Sequence, residues 1–347
     1  MPKKTTYRSS GVDIDAGNRF IELIKPIARS TQPRSYRNNI GLFAGSFPLS
    51  IKGYKNPILL SSADGVGTKL KIAFMSKKLD TVGIDLVAMN VNDIVTSGAK
   101  PLFFLDYFST SRLRPEEDIN IVKGIAKGCR EAGCILLGGE TAELPGFYKK
   151  DEFDLAGFAV GIVDKKDIID GKNVRPGDVL IGIESNGLHS NGYSLARKVL
   201  LGKNRFKLED KPKPLGKTLG EELLKPTRIY VNSVLSIIKK YEIKSVSHIT
   251  GGGLLGNIPR VIPGSCSIQI DSSKIKLPPI MKLIMDSGNI EIREMYRTFN
   301  CGIGMVLVVP ATVADKVIKY LVKYKNRSRI IGEIVKTGSD TERVEFI

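Results

Sequence analysis

Asp64, Gly65, Gly67, Thr68 and Lys69 stand together in the stretch Asp64-Gly65-Val66-Gly67-Thr68-Lys69, directly after Ile58-Leu59-Leu60-Ser61-Ser62-Ala63. The apolar run reads as a buried strand. At its end glycines let the backbone approach an anion, a lysine offers a point charge, and an aspartate offers a hard oxygen to magnesium, so such a corner can hold a phosphate. Neither common nucleotide fingerprint is met: the Walker pattern needs Gly-x-x-x-x-Gly-Lys-Ser/Thr, and the dinucleotide pattern needs a third glycine where Leu70 stands. Asp-Gly is also a frequent hairpin turn. A second carboxylate, Asp93, lies three residues after Asn90 in the apolar segment 88–95, so in a helix the two point the same way. A buried carboxylate there needs a partner, a metal or the Lys69 ammonium, whereas a solvent-facing stripe needs none. A third, Glu140, follows Gly138-Gly139 at the end of the strand 134–137, where a hydrogen bond to a neighbouring turn would also account for it. Asp64, Asp93 and Glu140 thus occupy comparable places on separate elements, as a magnesium-nucleotide site requires, because Mg²⁺ takes a few carboxylates and the ligand's own phosphate oxygens.

The elements that must position these groups alternate between strand and helix. The pair Asp13-x-Asp15 suggests a calcium loop, but the third oxygen ligand, the glycine and the distal glutamate are out of register. Asp15 or Asn18 is expected to cap a helix whose face carries Phe20, Leu23, Ile24 and Ile27, with Pro26 kinking it and Lys25 either solvated or reaching a nucleotide. Residues 31–50 read as loop. After a strand or helix start at 81–87 come a strand at 102–108, a helix at 115–131 opened by Pro115, and a strand at 155–163. The Gly-, Pro- and Asn-dense segment 170–178 reads as a linker, giving domains 1–169 and 170–347. Beyond it, the strand 179–183 leads through Ser185-Asn186-Gly187-Leu188-His189-Ser190-Asn191-Gly192 into a helix ending near Leu200, a turn suited to an anion. Pro226 is expected to start a helix bearing Val231, Val234, Leu235 and Ile238. The turn His248-Ile249-Thr250-Gly251-Gly252-Gly253 follows. Both histidines of the chain sit in such turns, although a lone histidine more often packs than reacts. The fold class is α/β (α+β).

Of 347 residues, 42% are hydrophobic and 26% charged, which excludes a disordered chain, and no apolar run approaches the roughly 18 residues of a membrane helix. With no secretory signal at the polar start, the cytoplasm is the expected location. Cys129, Cys134, Cys266 and Cys301 are too scattered for a disulfide framework or a zinc pair. The formal charge of +17 would attract nucleic acid, acidic lipid or phosphorylated metabolites. No stacked-aromatic or recognition-helix pattern accompanies it, which argues against nucleic acid.

Taken together, the segments 64–69, 83–93, 138–146, 189–194, 225–230 (Lys-Pro-Thr-Arg-Ile-Tyr), 248–253 and 295–302 (Met-Tyr-Arg-Thr-Phe-Asn-Cys-Gly) closely resemble the aminoimidazole ribonucleotide synthetase family, from Ser10 to about Gly332. The resemblance implies two mixed α/β domains and a homodimer whose N-terminal strands complete a barrel across the subunits. It implies an ATP- and Mg²⁺-dependent ligase of purine biosynthesis that closes the imidazole ring of formylglycinamidine ribonucleotide. On that basis Asp64, Asp93 and Glu140 are expected at the metal, and Asp64, Lys69 and His189 in catalysis. Lys25, Gly65, Gly67, Thr68, Asn90, Thr141, Ser190, Asn191, Thr250, Gly251, Gly252 and Gly253 are expected around nucleotide and substrate. Two positions depart from the family: Ala63 replaces a common threonine, and the loop before Phe47 keeps only Gly41 and Gly45. Selenophosphate synthetase, thiamine monophosphate kinase and a hydrogenase-maturation protein share similar corners. The first should carry a reactive cysteine within 35–50 and the last a C-terminal cysteine; this chain has neither.

Overall fold

The computed structural model describes residues 5–33, 36, 40–202, 205–338 and 343–347; parts of the loop expected at 31–50 and of the segment after Leu200 lie outside these. The first half contains α1 (Ile14–Arg29), β1 (Pro57–Gly65), α2 (Leu70–Ser76), α3 (Asp80–Thr96), β2 (Lys100–Thr110), α4 (Pro115–Ala132), β3 (Ile135–Glu143) and β4 (Phe153–Asp164). The cap of α1 is Asp13 rather than Asp15 or Asn18. Asp13 has the extended backbone that precedes a first turn, and its carboxylate accepts from the N–H groups of Asp15 and Ala16. The helix continues through Pro26 as one element to Arg29.

The four strands lie in the order β1-β4-β2-β3, with β2 and β3 parallel and the other pairs antiparallel. Burial alternates along β4: Phe153, Leu155, Gly157 and Ala159 face inward, while Asp154, Ala156 and Phe158 face outward. The inward face packs on α3, and α4 covers α3 from the other side. Gly83 and Gly124 bring these two helices to backbone contact, for a Cβ on Gly124 would lie 2.1 Å from the Asp80 carbonyl oxygen.

The second half contains β5 (Asp178–Glu184), α5 (Tyr193–Leu200), α6 (Leu219–Leu223), α7 (Val231–Ile237), β6 (Ser245–His248), α8 (Gly253–Asn257), β7 (Cys266–Ile270), α9 (Pro279–Gly288), α10 (Ile292–Thr298), β8 (Ile303–Pro310), α11 (Ala314–Leu321), β9 (Ser328–Lys336) and β10 (Val344–Phe346). The six strands run β10-β7-β9-β5-β8-β6. The helix expected from Pro226 begins only at Val231. Residues 225–230 form a strap outside any helix or strand, and side chains of the first domain bind the strap's backbone groups in place of a helical ladder.

α3 is the element on which the two halves meet. It was expected as a strand or helix start followed by a helix; it is a single helix, nearly all of it buried, touching the first sheet, α4, α7 and β6. The polar residues Asp85, Asn90 and Asn92 on this buried helix are the ones that need partners.

Candidate active site at the domain seam

Lys69 is not free to meet a phosphate. Its side chain is 0% exposed; the ammonium lies 2.7 Å from Asp85 Oδ2 and donates to the carbonyl oxygens of His189 (3.0 Å) and Lys225 (2.6 Å). Three N–H groups meet three acceptors, so its donors are spent. Burial lowers its pKa and the Asp85 carboxylate opposes that shift. Asp85 Oδ1 in turn accepts from the N–H and the hydroxyl of Thr227, and Ser190 Oγ lies 3.1 Å from Thr227 Oγ1. Two turns along α3, Asn92 accepts from the Tyr230 N–H and donates to the Arg228 carbonyl. Lys69, Asp85 and Asn92 therefore form a buried lock holding the strap 225–230. Spacing carried a signal for Asp85 and Asn92 that reading the segment for phosphate ligands passed over: polar residues seven apart share one face of an otherwise apolar helix.

His189 also belongs to this interior. It is 1% exposed, and its Nε2 accepts the Asn186 N–H at 3.0 Å, which leaves the ring proton on Nδ1. Burial first, then the charges of His248, Lys69 and Arg228, holds its pKa well below the usual histidine value. Backbone fills the Nε2 lone pair of the buried ring and its Nδ1 has no hydrogen-bond partner among the described residues, so the ring has no acceptor atom left for the catalytic role expected of it. Asn90, 0% exposed, donates to the carbonyl oxygens of Leu86 (2.9 Å) and Asp64 (3.3 Å), bracing the end of β1.

The groups that remain accessible gather beside this lock, where β1, α3, the β5–α5 loop and the β6–α8 loop meet. Asp64 is exposed at the end of β1, and its Oδ1 accepts the Gly65 N–H at 2.7 Å. Partial burial raises its pKa, the Gly65 N–H opposes this, and the nearby negative charge of Asp93 raises it further. Asp93, 46% exposed, comes from α3 and shares a hydrogen bond of 2.8 Å with His248 Nδ1 at the end of β6. Gly67 and Thr68 are exposed on the turn after β1, and Thr68 Oγ1 lies 3.1 Å from Ser194 Oγ of the second domain. Asn191, Thr250, Gly251 and Gly252 line the second-domain side of this seam. The side chain of Asn257 shapes the latter loop by donating to the carbonyl oxygens of Thr250, Gly251 and Gly253. Gly253 itself is buried against the Tyr296 carbonyl, where a Cβ would sit 2.1 Å away.

Glu140 does not join Asp64 and Asp93 within one chain. Asp64 is in register with Gly157, Asp106 and Gly139 across the sheet, whereas Glu140 sits one row on, beside Tyr107 and Ala156, on the outward face. Three strand spacings also separate β1 from β3, roughly 14 Å. Among the described residues no group of three or more His, Cys, Asp or Glu is placed to hold a metal. The expected three-carboxylate cluster thus reduces to the pair Asp64 and Asp93. That pair still suits Mg²⁺, which binds through one or two carboxylates and completes its shell with phosphate oxygens and water. Glu140 instead walls a cavity of about 470 Å³ with Gly41–Gly45, Leu105 and Asp106. Burial pushes Asp106 up to about 7. Thr141 follows in β3, and Lys25 pairs with Glu22 while its stem lies near Gly41. Asp106, Ser194, Thr227 and His248 are not among the site residues expected from the sequence.

Residues 51–163 match the family model described as AIR synthase related protein, N-terminal domain, and residues 175–345 the corresponding C-terminal domain. The chain belongs to the AIR synthase family. A phosphoribosylformylglycinamidine cyclo-ligase of Geotalea uraniireducens is 53% identical over 344 residues, 99% of each chain. One of Syntrophotalea carbinolica is 56% identical over 340 residues, 98% of this chain and 97% of its own. The fold of this AIR synthase family member also recurs in solved structures of low identity. Thiamine-monophosphate kinase of Stenotrophomonas maltophilia is 16% identical, with a TM-score of 0.67 over 93% of this chain and 95% of its own. The hydrogenase maturation protein HypE in complex with ATP is 15% identical, with a TM-score of 0.65 over 94% and 89%.

Proposed function

We propose that this chain is a phosphoribosylformylglycinamidine cyclo-ligase, closing the imidazole ring of formylglycinamidine ribonucleotide with ATP to give aminoimidazole ribonucleotide, ADP and phosphate. The observation that carries the reading is identity of more than half the residues over nearly the whole length of proteins so named. The accessible pair Asp64 and Asp93 at the seam of two domains supports it. In the reaction the formyl amide oxygen attacks the γ-phosphorus, ADP departs, and the amidine nitrogen attacks the activated carbon as phosphate leaves. No protein nucleophile is required; the protein orients an internal nucleophile and offsets phosphate charge. Asp64 and Asp93 would hold Mg²⁺, which supplies charge neutralisation at the transferring phosphoryl group. Backbone N–H groups of Gly65, Gly67 and Thr68 would take phosphate oxygens, while Asn191, Thr250, Gly251 and Gly252 would face the ribonucleotide. Lys69, His189 and Asn90 fix the frame. In a coupled ADP-release assay, turnover is expected only when ATP, Mg²⁺ and formylglycinamidine ribonucleotide are all present. Equal ADP release without the ribonucleotide would replace the reading with a simple ATPase or a kinase of another substrate.

The active form is proposed to be a homodimer. The outward face of the first sheet leaves Leu59, Tyr107 and Phe158 at 54%, 41% and 39% exposed, an apolar surface that a second copy would cover. Sedimentation is expected to give a dimer for the natural chain and a monomer for Phe158→Asp combined with Tyr107→Glu. No described helix is long and apolar enough to cross a membrane. The reading places the protein in the cytoplasm, in keeping with four free, buried cysteines.

A further inference from the structure

We propose that His248 is a positioning residue that fixes Asp93 for the cation and ties its orientation to the seating of the second domain; the proposal rests on Asp64 and Asp93 holding Mg²⁺. The ring is nearly buried, with 2% of the side chain exposed, although its partner Asp93 is 46% exposed. Nδ1 lies 2.8 Å from Asp93 Oδ1, and Nε2 lies 3.4 Å from Asn92 Nδ2. An amide NH₂ only donates, so Nε2 presents its lone pair to Asn92 and the ring N–H is left at Nδ1, directed to the Asp93 carboxylate. Asn92 is immobilised from the other domain, accepting from the Tyr230 N–H at 2.9 Å and donating to the Arg228 carbonyl at 2.8 Å. The polar chain therefore runs from strap to Asn92, to His248, to Asp93, crossing between domains three times. Its last member is the only one with substantial solvent access. An exposed aspartate on a helix has several rotamers, and a single N–H held on Oδ1 selects one of them while the other lone pairs remain for a ligand. Outer-shell hydrogen bonds of this kind are worth about 10–100-fold in metal affinity.

Asparagine provides the test, because its Nδ2 can occupy the place of the histidine Nδ1 and donate to Asp93, whereas leucine cannot. Binding of Mn²⁺ in the presence of ADP, followed by the electron paramagnetic resonance of the free ion, is the direct readout, with thermal unfolding in the absence of metal as the control. His248→Leu is expected to weaken Mn²⁺ binding by about 10–100-fold with its metal-free unfolding midpoint close to that of the natural chain. His248→Asn is expected to restore binding to within about threefold. In an Asp93→Asn background, His248→Leu should cost nothing further, since the group it orients is gone. Equal loss in both His248 variants, or an undiminished cost of His248→Leu in the Asp93→Asn background, would overturn the positioning role. If Asp93→Asn itself bound Mn²⁺ like the natural chain, the cation site would be wrong rather than the role of His248.

Discussion

Lys69→Met is expected to cost the fold about 3–5 kcal/mol, because it strips a fully buried carboxylate, Asp85, of its ion-pair partner. It also leaves the carbonyl oxygens of His189 and Lys225 without a donor. Adding Asp85→Asn should recover a large part of that loss. The buried charge disappears, the amide oxygen can still accept from Thr227, and the new NH₂ can supply one of the vacated carbonyls. Denaturant midpoints of the two variants and the natural chain measure both effects. A lysine that served phosphate from an open cleft would behave in the opposite manner: its loss would leave stability intact and Asp85→Asn would rescue nothing. The double variant should also turn over ATP, since the reacting groups are elsewhere.

Asp64→Asn and Asp93→Asn are expected to lower turnover by two to three powers of ten while leaving unfolding midpoints unchanged. Asp64 is exposed, Asp93 is half-exposed and an asparagine there can still accept the His248 N–H through its amide oxygen, and a lost cation costs several kcal/mol of charge stabilisation. The Mg²⁺ concentration for half-maximal ADP release should rise in both. Glu140→Gln should leave that concentration where it is, because Glu140 lies across the sheet and on its other face. An equal shift in all three variants would restore the three-carboxylate site.

Most strands could be read from the chain, since runs such as 102–108, 155–163 and 305–309 carry strong apolar patterns and the turns between them are marked by glycine and proline. Which of the conspicuous polar residues stay accessible was not legible. Lys69 and His189 stand in turns that look chemical, yet both are buried in the domain contact, and sequence spacing gives no account of what a second domain will cover. Asp64 and Glu140 were both expected at strand ends, but Glu140 lies inside β3, and whether two such residues share a cleft depends on strand order and on the two-residue alternation of faces, which only the register of β1-β4-β2-β3 decides. Pro226 misled for a related reason. It is a fitting first residue for a helix, but Asp85 and Asn92, more than 130 residues earlier, take up the backbone N–H groups of Thr227 and Tyr230, and the helix begins only at Val231.

The proposed activity and the role of His248 rest on one cation site whose two carboxylates, Asp64 and Asp93, come from the first domain. Crystals grown with Mn²⁺ and a non-hydrolysable ATP analogue give the most direct test, because the anomalous signal of manganese marks the ion independently of any interpretation of the protein. A peak is expected within about 2.0–2.3 Å of carboxylate oxygens of both Asp64 and Asp93, with phosphate oxygens completing the shell and His248 still bonded to Asp93. A manganese peak at Glu140 and Asp106, with Asp64 and Asp93 left unliganded, would contradict it.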